Sequence, residues 1–175
     1  MPPGAEKGKR DLERILRLVR ATVSDSRRII ADLRPTTLDD LGLAATISLE
    51  VERLREDGYQ VDYQEELGDE RLPVAAEIAL FRVVQEALTN VRKHAQTQQV
   101  RIELRRREDE ICLEVQDYGR GFDPAAAPVE SGPGERIGLA GMRERIGMLG
   151  GKLEIHSEPD VGTTVTAAVP LVQAA

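Results

Sequence analysis

Residues 86–95 read Glu-Ala-Leu-Thr-Asn-Val-Arg-Lys-His-Ala and hold the most informative polar side chains of the sequence. Apolar residues before them recur at three- and four-residue steps, which predicts a helix that Pro73 opens and that ends near Ala95. Glu86 and Asn90 are four residues apart, so both project from one face of that helix. A carboxylate and an amide oxygen so placed suit a hard cation such as Mg²⁺. An ordinary solvated helix face is the alternative.

Lys93 and His94 follow Asn90 by about one helical turn. Their positive or hydrogen-bond-donating groups are placed to meet phosphate oxygens if Asn90 holds a cation. We expect His156, the second of the two histidines, to be a structural or surface side chain.

Downstream of this helix, residues 100–104 and 111–115 alternate apolar and polar side chains across a short charged link. The pattern predicts an antiparallel hairpin. Directly after its second strand comes Asp117-Tyr118-Gly119-Arg120-Gly121. A carboxylate at a strand end can accept a hydrogen bond from an exocyclic amine such as that of adenine, and the glycines Gly119 and Gly121 allow close backbone approach. A plain turn is the alternative.

Residues 117–134 contain four glycines and three prolines, which predicts a long loop of the kind that often acts as a lid. A helix is expected over residues 139–149, with Gly138-Leu139-Ala140-Gly141-Met142 at its start. Helix N-termini offer free amide donors to phosphate, although a flexible helix entry has the same composition. The chain then forms strands at 153–155 and 163–171, and either Thr163 or Thr164 could bond a base or ordered water.

Upstream, residues 5–34 carry an apolar stripe at helical spacing and Pro35 ends it, which predicts a long helical arm. The arm is typical of a bundle or coiled coil, with packing on its own domain as the alternative. A second helix is expected from residue 38 or 39 to Asp57, followed by a strand over 59–63. The fold class is therefore α+β: a two-layer sandwich of a mixed, mostly antiparallel sheet with helices on one face, preceded by the arm.

The overall composition narrows the function. The chain has 175 residues, 41% hydrophobic and 31% charged, with a net charge of −7. Acidic chains with 3% aromatic residues are poor candidates for nucleic-acid binding. No apolar run approaches the length of a membrane span. A single cysteine, Cys112, excludes an internal disulfide and fits a reducing cytoplasm. We therefore expect a cytoplasmic protein, whose longer form is either free or attached to the inner membrane.

The order of these motifs resembles the GHKL (Bergerat-fold) ATPases, and within them the sensor histidine kinases that pair with NarL- or LuxR-type response regulators. Residues 86–95 resemble the N box of that family, residues 117–121 its first glycine box and residues 138–145 its second. Residues 162–164, Gly-Thr-Thr, resemble its terminal threonine motif. Residues 33–43 are similar to the end of a dimerisation helix and the linker that follows it. The resemblance covers about 33–171.

The resemblance implies ATP and Mg²⁺ as cofactors. Asn90 would be a ligand of Mg²⁺, and Glu86 would act on the same cation through water. Asp117 would accept from the adenine amine, and Thr163 or Thr164 would bond nearby. The remaining residues that the resemblance places around the nucleotide are Lys93, His94, Gly119, Gly121, Gly138, Leu139, Gly141 and Met142.

The resemblance also implies two domains: a partial dimerisation and phosphotransfer region at 1–37 and an ATP-binding catalytic domain at 38–175. Neither histidine lies on the arm, so the phosphoacceptor histidine of such kinases is absent and the sequence is expected to be a fragment of a longer kinase. Its partners would be ATP or ADP, the dimerisation helices of the homodimeric kinase and a response regulator. The alternatives are an anti-sigma-factor serine kinase and a non-catalytic nucleotide-binding or dimerisation module.

Overall fold

A computed structural model describes residues 36–68, 70–123 and 133–171, with the backbone alone described at 133–137. The predicted arm at residues 5–34 lies outside these ranges. The described elements are α1 (Thr36–Glu56), β1 (Gln60–Glu65), α2 (Val74–Asn90), a π-helix (Val91–Ala95), β2 (Gln99–Arg107), β3 (Glu110–Asp117), α3 (Pro133–Gly147), β4 (Lys152–Glu158) and β5 (Gly162–Pro170). The predicted α+β class is confirmed.

The five strands form one sheet in the order β1-β2-β3-β5-β4. β1 pairs with β2 in parallel, and the other neighbours are antiparallel. The predicted hairpin is confirmed, with Ile102 opposite Val115. In β3 every second side chain from Ile111 is buried, because successive side chains point to opposite faces of the sheet. The register sets Asp117, Thr163 and Ser157 side by side at one end of three adjacent strands.

The helices cover one face of the sheet. The core combines apolar side chains of α1, α2 and α3 with the inward positions of the strands, including Ile47, Phe81, Ile102, Leu113 and Met142. On the other face, Glu103 lies between Arg101 and Arg105 and forms an ion pair with each of them. The face that carries Asp117 is therefore the helix-covered one, which places this carboxylate at the edge of the core.

Arg71 links α1 to the start of α2. Its guanidinium donates to both carboxylate oxygens of the buried Glu77, at 3.0 and 3.1 Å. It also donates to the carbonyl oxygens of Leu38 and Asp39, just before α1 is interrupted at Gly42. The interruption leaves carbonyl groups without helical donors, and Arg71 supplies donors to them.

Two helix boundaries differ from the sequence prediction by about a turn or more, and the other boundaries shift by one to three residues. The helix expected to reach Ala95 is α-helical only to Asn90, and its last turn is the π-helix. α3 begins at Pro133 instead of residue 139. Proline suits the first turn of a helix, and the glycines that follow it made that turn look like a loop. Residues 138–142 therefore lie within α3 and not at its N-terminus, so the prediction of free amide donors at those residues is wrong.

Across the described ranges, we find no helix that combines the length and apolar character needed to cross a bilayer.

Candidate functional site

Asp117, the last residue of β3, is a buried carboxylate with only 8% of its surface exposed. It accepts a hydrogen bond from the backbone N–H of Gly119 at 2.9 Å, and Thr163 of β5 stands directly opposite it in the sheet. Burial raises the pKa of this carboxyl, and hydrogen bonding by Gly119 and Thr163 lowers it in part. A carboxylate has about four lone-pair directions. The carboxylate can therefore accept from a further donor outside the protein.

Glycine at two positions lets backbones meet around this carboxylate. A Cβ atom on Gly119 would overlap the carbonyl oxygen of Ala95, which ends the π-helix. A Cβ atom on Gly162 would overlap the backbone carbonyl of Asp117, and Gly162 also has a φ of +123°. Only a residue without a side chain allows such approaches. The end of the π-helix, the end of β3 and the start of β5 therefore converge at Asp117.

Backbone and side-chain hydrogen bonds fix the segment after β3 on both sides. The N–H of Arg120 donates to the carbonyl of Ala95 at 2.8 Å, and the carbonyl of Arg120 accepts from Asp160 in the β4–β5 turn at 2.7 Å. The N–H of Phe122 donates to Ser157 Oγ at 2.9 Å. The segment that carries Gly119 and Gly121 is thus anchored between the π-helix and the β4–β5 turn.

Glu86 and Gly138 meet on the other side of the candidate site. The Glu86 carboxylate lies so close to the Gly138 Cα that a Cβ atom there would overlap the carboxylate oxygen Oε1. This contact brings α3 against α2 at the predicted cation-binding residues. From Glu86 to Ala95 the helix rises by about 13 Å. The site therefore has two ends, one at Glu86 and Gly138 and one at Asp117.

The predicted ligands Glu86 and Asn90 are half-buried, and Lys93 is exposed. In the described part of the chain, none of the three makes a side-chain hydrogen bond or ion pair. Because neither side chain is bonded within the described residues, the oxygens of Glu86 and Asn90 are available to a ligand. His94 is half-buried in the π-helix and already interacts with another group of the protein.

The donor set suits Mg²⁺ bound together with phosphate. Within residues 36–68, 70–123 and 133–171 there is no cluster of three or more His, Cys, Asp or Glu side chains that could enclose a metal ion. Mg²⁺ in nucleotide sites is typically held by one or two protein oxygens, substrate phosphates and water. Glu86 and Asn90 supply two oxygen donors of that kind on one helix face.

Three predicted residues are placed differently from expectation. Met142 is fully buried in the core, so its side chain is not on the surface of the site. Thr164 pairs with Gln116 and His156, on the face of the sheet away from the helices. Of the two threonines only Thr163 lies directly opposite Asp117, on the same face of the sheet. Leu139 is half-buried and packs against the core.

Sequence reasoning missed two contributors to the site, Ser157 and Ala95. Ser157 is 8% exposed and bonds the backbone carbonyl of Gly162 and the hydroxyl of Thr163. Serine in a strand gives no signal of its own, but its position five residues before Gly162 could have suggested pairing across the turn. Ala95 acts through its backbone carbonyl, which no sequence pattern reveals.

Comparison with known proteins identifies relatives of the whole sequence. The family model for histidine kinase-, DNA gyrase B-, and HSP90-like ATPases matches residues 75–173. The signal transduction histidine-protein kinase/phosphatase DegS of Brevibacillus brevis is 38% identical over 169 residues, which are 96% of this chain and 42% of DegS. The oxygen sensor histidine kinase NreB of Staphylococcus carnosus is 36% identical over 160 residues, 91% of this chain and 45% of NreB. The chain thus spans less than half the length of these curated relatives.

Solved structures support the fold. The blue-light activated histidine kinase EL346 of Erythrobacter litoralis superposes with a TM-score of 0.68 at 22% identity, covering 87% of this chain and 50% of that one. A structure of its histidine kinase domain gives a TM-score of 0.63 at 23% identity, covering 90% and 84% of the two chains.

The packing of the anchored segment can be tested by one matched pair of substitutions. Gly121 and Gly68 have nearly equal φ angles, +53° and +55°, but a Cβ atom would overlap the Glu158 carbonyl at Gly121 and meet nothing at Gly68. We expect Gly68→Ala to cost about 1 kcal/mol, the left-handed backbone cost alone. Gly121→Ala should cost about 1–3 kcal/mol more. Urea denaturation measures the free energy of unfolding of both variants. Equal decreases in the two variants would show that the segment is not packed as described.

Proposed function

This chain belongs to the histidine kinase-, DNA gyrase B-, and HSP90-like ATPase family, and we propose that it is the ATP-binding catalytic domain of a sensor histidine kinase. The observation that carries the proposal is the two-ended site. A buried hydrogen-bond acceptor at Asp117 lies at one end, and the half-buried oxygen ligands of Glu86 and Asn90 lie at the other. A nucleotide needs a hydrogen-bond acceptor beside its base and oxygen ligands for the cation that binds its phosphates. The two ends of the site provide these two kinds of group.

The extent of similarity favours a histidine kinase over other members of the family. The family model begins at residue 75, but the similarity to DegS and NreB covers 96% and 91% of the chain. The similarity to named histidine kinases therefore includes most of the sequence before the ATPase region. An anti-sigma-factor kinase would not need the helical arm that the sequence predicts there. We assign residues 1–37 to the dimerisation and phosphotransfer region and 38–175 to the catalytic domain. The chain also divides into two units between Thr36 and Thr37.

At the base end, Asp117 is proposed to accept from the exocyclic amine of adenine. The hydrogen bond from the Gly119 N–H holds the carboxylate in place, so its orientation is set before the nucleotide arrives. Thr163 holds Asp117 from one side, and Gly119 brings the backbone close enough to form the wall of the pocket. Preorganisation of this kind lowers the entropy lost on binding.

At the phosphate end, Asn90 is proposed as a direct ligand of Mg²⁺ and Glu86 as a second group acting through water. The cation supplies positive charge that neutralises the phosphate oxygens. Gly138, without a side chain, leaves room for the Glu86 carboxylate. Lys93 is proposed to contact phosphate from the π-helix, with His94 as a further donor. π-Helical turns often occur at functional sites.

In phosphoryl transfer the domain supplies position and electrostatic stabilisation. A nucleophilic histidine nitrogen forms a bond to the γ-phosphorus as the bond to the β–γ bridging oxygen breaks, and ADP leaves. His156 is exposed on β4 and His94 lies within the nucleotide helix. We therefore propose that the phosphorylated histidine belongs to a dimerisation helix outside this sequence, in a homodimeric kinase that acts in the cytoplasm. Its phosphoryl group would pass to a response regulator of the NarL or LuxR type.

The base contact predicts a specific pH dependence. Asp117 accepts most strongly from adenine when it is charged, and its pKa is raised by burial. ATP affinity should therefore be full above that pKa and fall as the pH drops through it, at a higher pH than the ordinary Asp value of about 3.9. Asp117→Asn should weaken ATP binding about 10- to 100-fold, from a lost charge-assisted bond of about 1.5–3 kcal/mol.

Calorimetric titration across pH checks this expectation. The Asp117→Asn protein is the control for titration of the nucleotide itself, because any pH dependence common to both proteins does not come from Asp117. Identical pH profiles in the two proteins would contradict the assignment of Asp117 to the base.

The proposed cation contact predicts that replacing Asn90 lowers the Mg²⁺-dependent part of the ATP affinity. Asn90→Ala should reduce the gain in ATP affinity on adding Mg²⁺ by at least about 10-fold. It should leave the weaker, metal-free binding unchanged. Thr89→Ala is the matched control, since Thr89 lies one residue away and its hydroxyl bonds the Gln85 carbonyl within the helix. If Mg²⁺ raised the ATP affinity of both variants equally, Asn90 would not be a ligand of the cation.

The transfer step predicts binding without self-phosphorylation. Incubated with γ-labelled ATP, the chain should bind nucleotide but acquire less than about 1% of the acid-labile label of a complete kinase, because no histidine is presented in line with the γ-phosphate. The measurement is label retained after electrophoresis at neutral and acid pH. Acid-labile label that maps to His94 or His156 would overturn this part of the proposal.

A further inference from the structure

β4 (Lys152–Glu158) is an edge strand of the sheet. Among the described residues its one neighbour in the sheet is β5. On its other side, every second residue directs its backbone N–H and C=O away from the sheet. Such a row of backbone groups is a template for a strand of another chain. β4 therefore offers a pairing edge that is seven residues long.

The opposite edge of the sheet, formed by β1, is partly covered. The N–H of Gln60 donates to the Gln98 carbonyl before β2 at 2.7 Å, so the next carbonyl, that of Val61, points away from β2. Arg55 of α1 donates to the Val61 carbonyl at 2.8 Å. Within the described residues no side chain caps the backbone of β4 in this way. The two edges of the sheet are therefore not equivalent.

The exposed side chains of β4 alternate in chemical type along one face. This face points away from the helices and carries Lys152, Glu154, His156 and Glu158. The Lys152 side chain is 75% exposed, and its Nζ lies 2.5 Å from Oε1 of Glu154. In the described part of the chain, Glu158 has no ion-pair partner. From its first residue, the face therefore presents a cation, a carboxylate, an imidazole and a carboxylate.

This order is complementary to itself when a second β4 runs antiparallel. With the two-fold axis at Ile155, Lys152 faces Glu158 of the second copy, and Glu154 faces His156 of the second copy. An ammonium then meets a carboxylate, and an imidazole N–H can donate to a carboxylate. The symmetry repeats each pair, because a two-fold interface uses the same residues on both sides. Opposite charges placed directly across two strands stabilise their pairing.

Shifted registers bring like charges together. With the axis at Glu154, this carboxylate would face its own copy. With the axis at His156, Glu154 would face Glu158 of the second copy twice. Charges on an edge strand commonly prevent pairing with other chains. On β4 they disfavour the neighbouring registers and favour the register centred on Ile155.

We propose that β4 is a self-association surface, at which two copies of this chain pair their β4 strands antiparallel with Ile155 on the two-fold axis. The two five-stranded sheets would then be continuous. On the helix-covered face, the half-buried Ile155 would meet its own copy and the half-buried Leu153 would meet Ser157 of the second copy. One strand edge buries a small area, so this contact belongs to the weak, transient class of interfaces. The proposal does not rest on the nucleotide site.

Exchange of two charges on β4 tests the pairing in the full 175-residue chain. Lys152→Glu would place a carboxylate opposite Glu158 of the second copy, and Glu158→Lys would place two ammonium groups opposite each other. Each single variant should weaken concentration-dependent association, measured by sedimentation velocity, at least about 10-fold. The double variant Lys152→Glu/Glu158→Lys restores opposite charges across the axis, so it should recover most of the wild-type affinity.

A matched control separates pairing at β4 from a general effect of charge. Glu56→Lys changes the net charge as much as Glu158→Lys does, but Glu56 is exposed on α1 beside the Arg55 that caps β1. This variant should associate like the wild type. Any association through the predicted arm at residues 5–34 is common to all these proteins.

A disulfide cross-link tests the position of the axis. Residues directly opposite in an antiparallel pair have Cα atoms about 4.5–5.5 Å apart, which suits a disulfide. In a Cys112→Ser background, Ile155→Cys should therefore give a cross-linked dimer when a mild oxidant is added. Val161→Cys is the control, because Val161 is 61% exposed but lies beyond the end of β4. It should form much less of this dimer.

Weakened association in both single charge variants, its recovery in the double variant and cross-linking at position 155 would support the proposal. Association that is unchanged in the single variants, or equally weak in the single and double variants, would overturn it. Equal cross-linking at positions 155 and 161 would also overturn it, because the thiols would then meet without a defined register.

Discussion

The close approach of three backbone segments around Asp117 is the constraint on which the site depends. The end of the π-helix, the end of β3 and the start of β5 meet there because Gly119 and Gly162 have no side chains. This approach buries the carboxylate and at the same time supplies N–H donors to it. An unsatisfied buried carboxylate would cost several kcal/mol. The burial of the carboxylate and the hydrogen bonding that compensates for it therefore depend on the same glycines.

The second end of the site depends on α2 in a similar way. Glu86 packs against Gly138 of α3, and the π-helix that continues α2 ends at the Ala95 carbonyl, which holds Arg120. One continuous helical segment thus connects both ends and fixes the distance between them. A rigid element gives a more precise separation than two loops would. The length of the ligand that fits is consequently set by α2 and its π-helical turn.

Much of this arrangement could be predicted from sequence, for physical reasons. Alternation in residues 100–104 and 111–115 identified the hairpin, because a half-buried strand must alternate. The i to i+4 spacing placed Glu86 and Asn90 together. Sequence could not choose between Thr163 and Thr164, since only the register with β3 decides which of them faces Asp117. It also missed the first turn of α3, where proline and glycine outweighed the helical periodicity in the prediction.

The buried carboxylate also explains why the segment after β3 is anchored on both sides. Burial disfavours the charged form of Asp117, and the hydrogen bond from Gly119 favours it. The Gly119 N–H belongs to the turn that Arg120 joins to Ala95 and to Asp160, so this donor keeps its position beside the carboxylate. The charged acceptor that we propose for adenine is thus supported by the same backbone contacts that form the wall of its site.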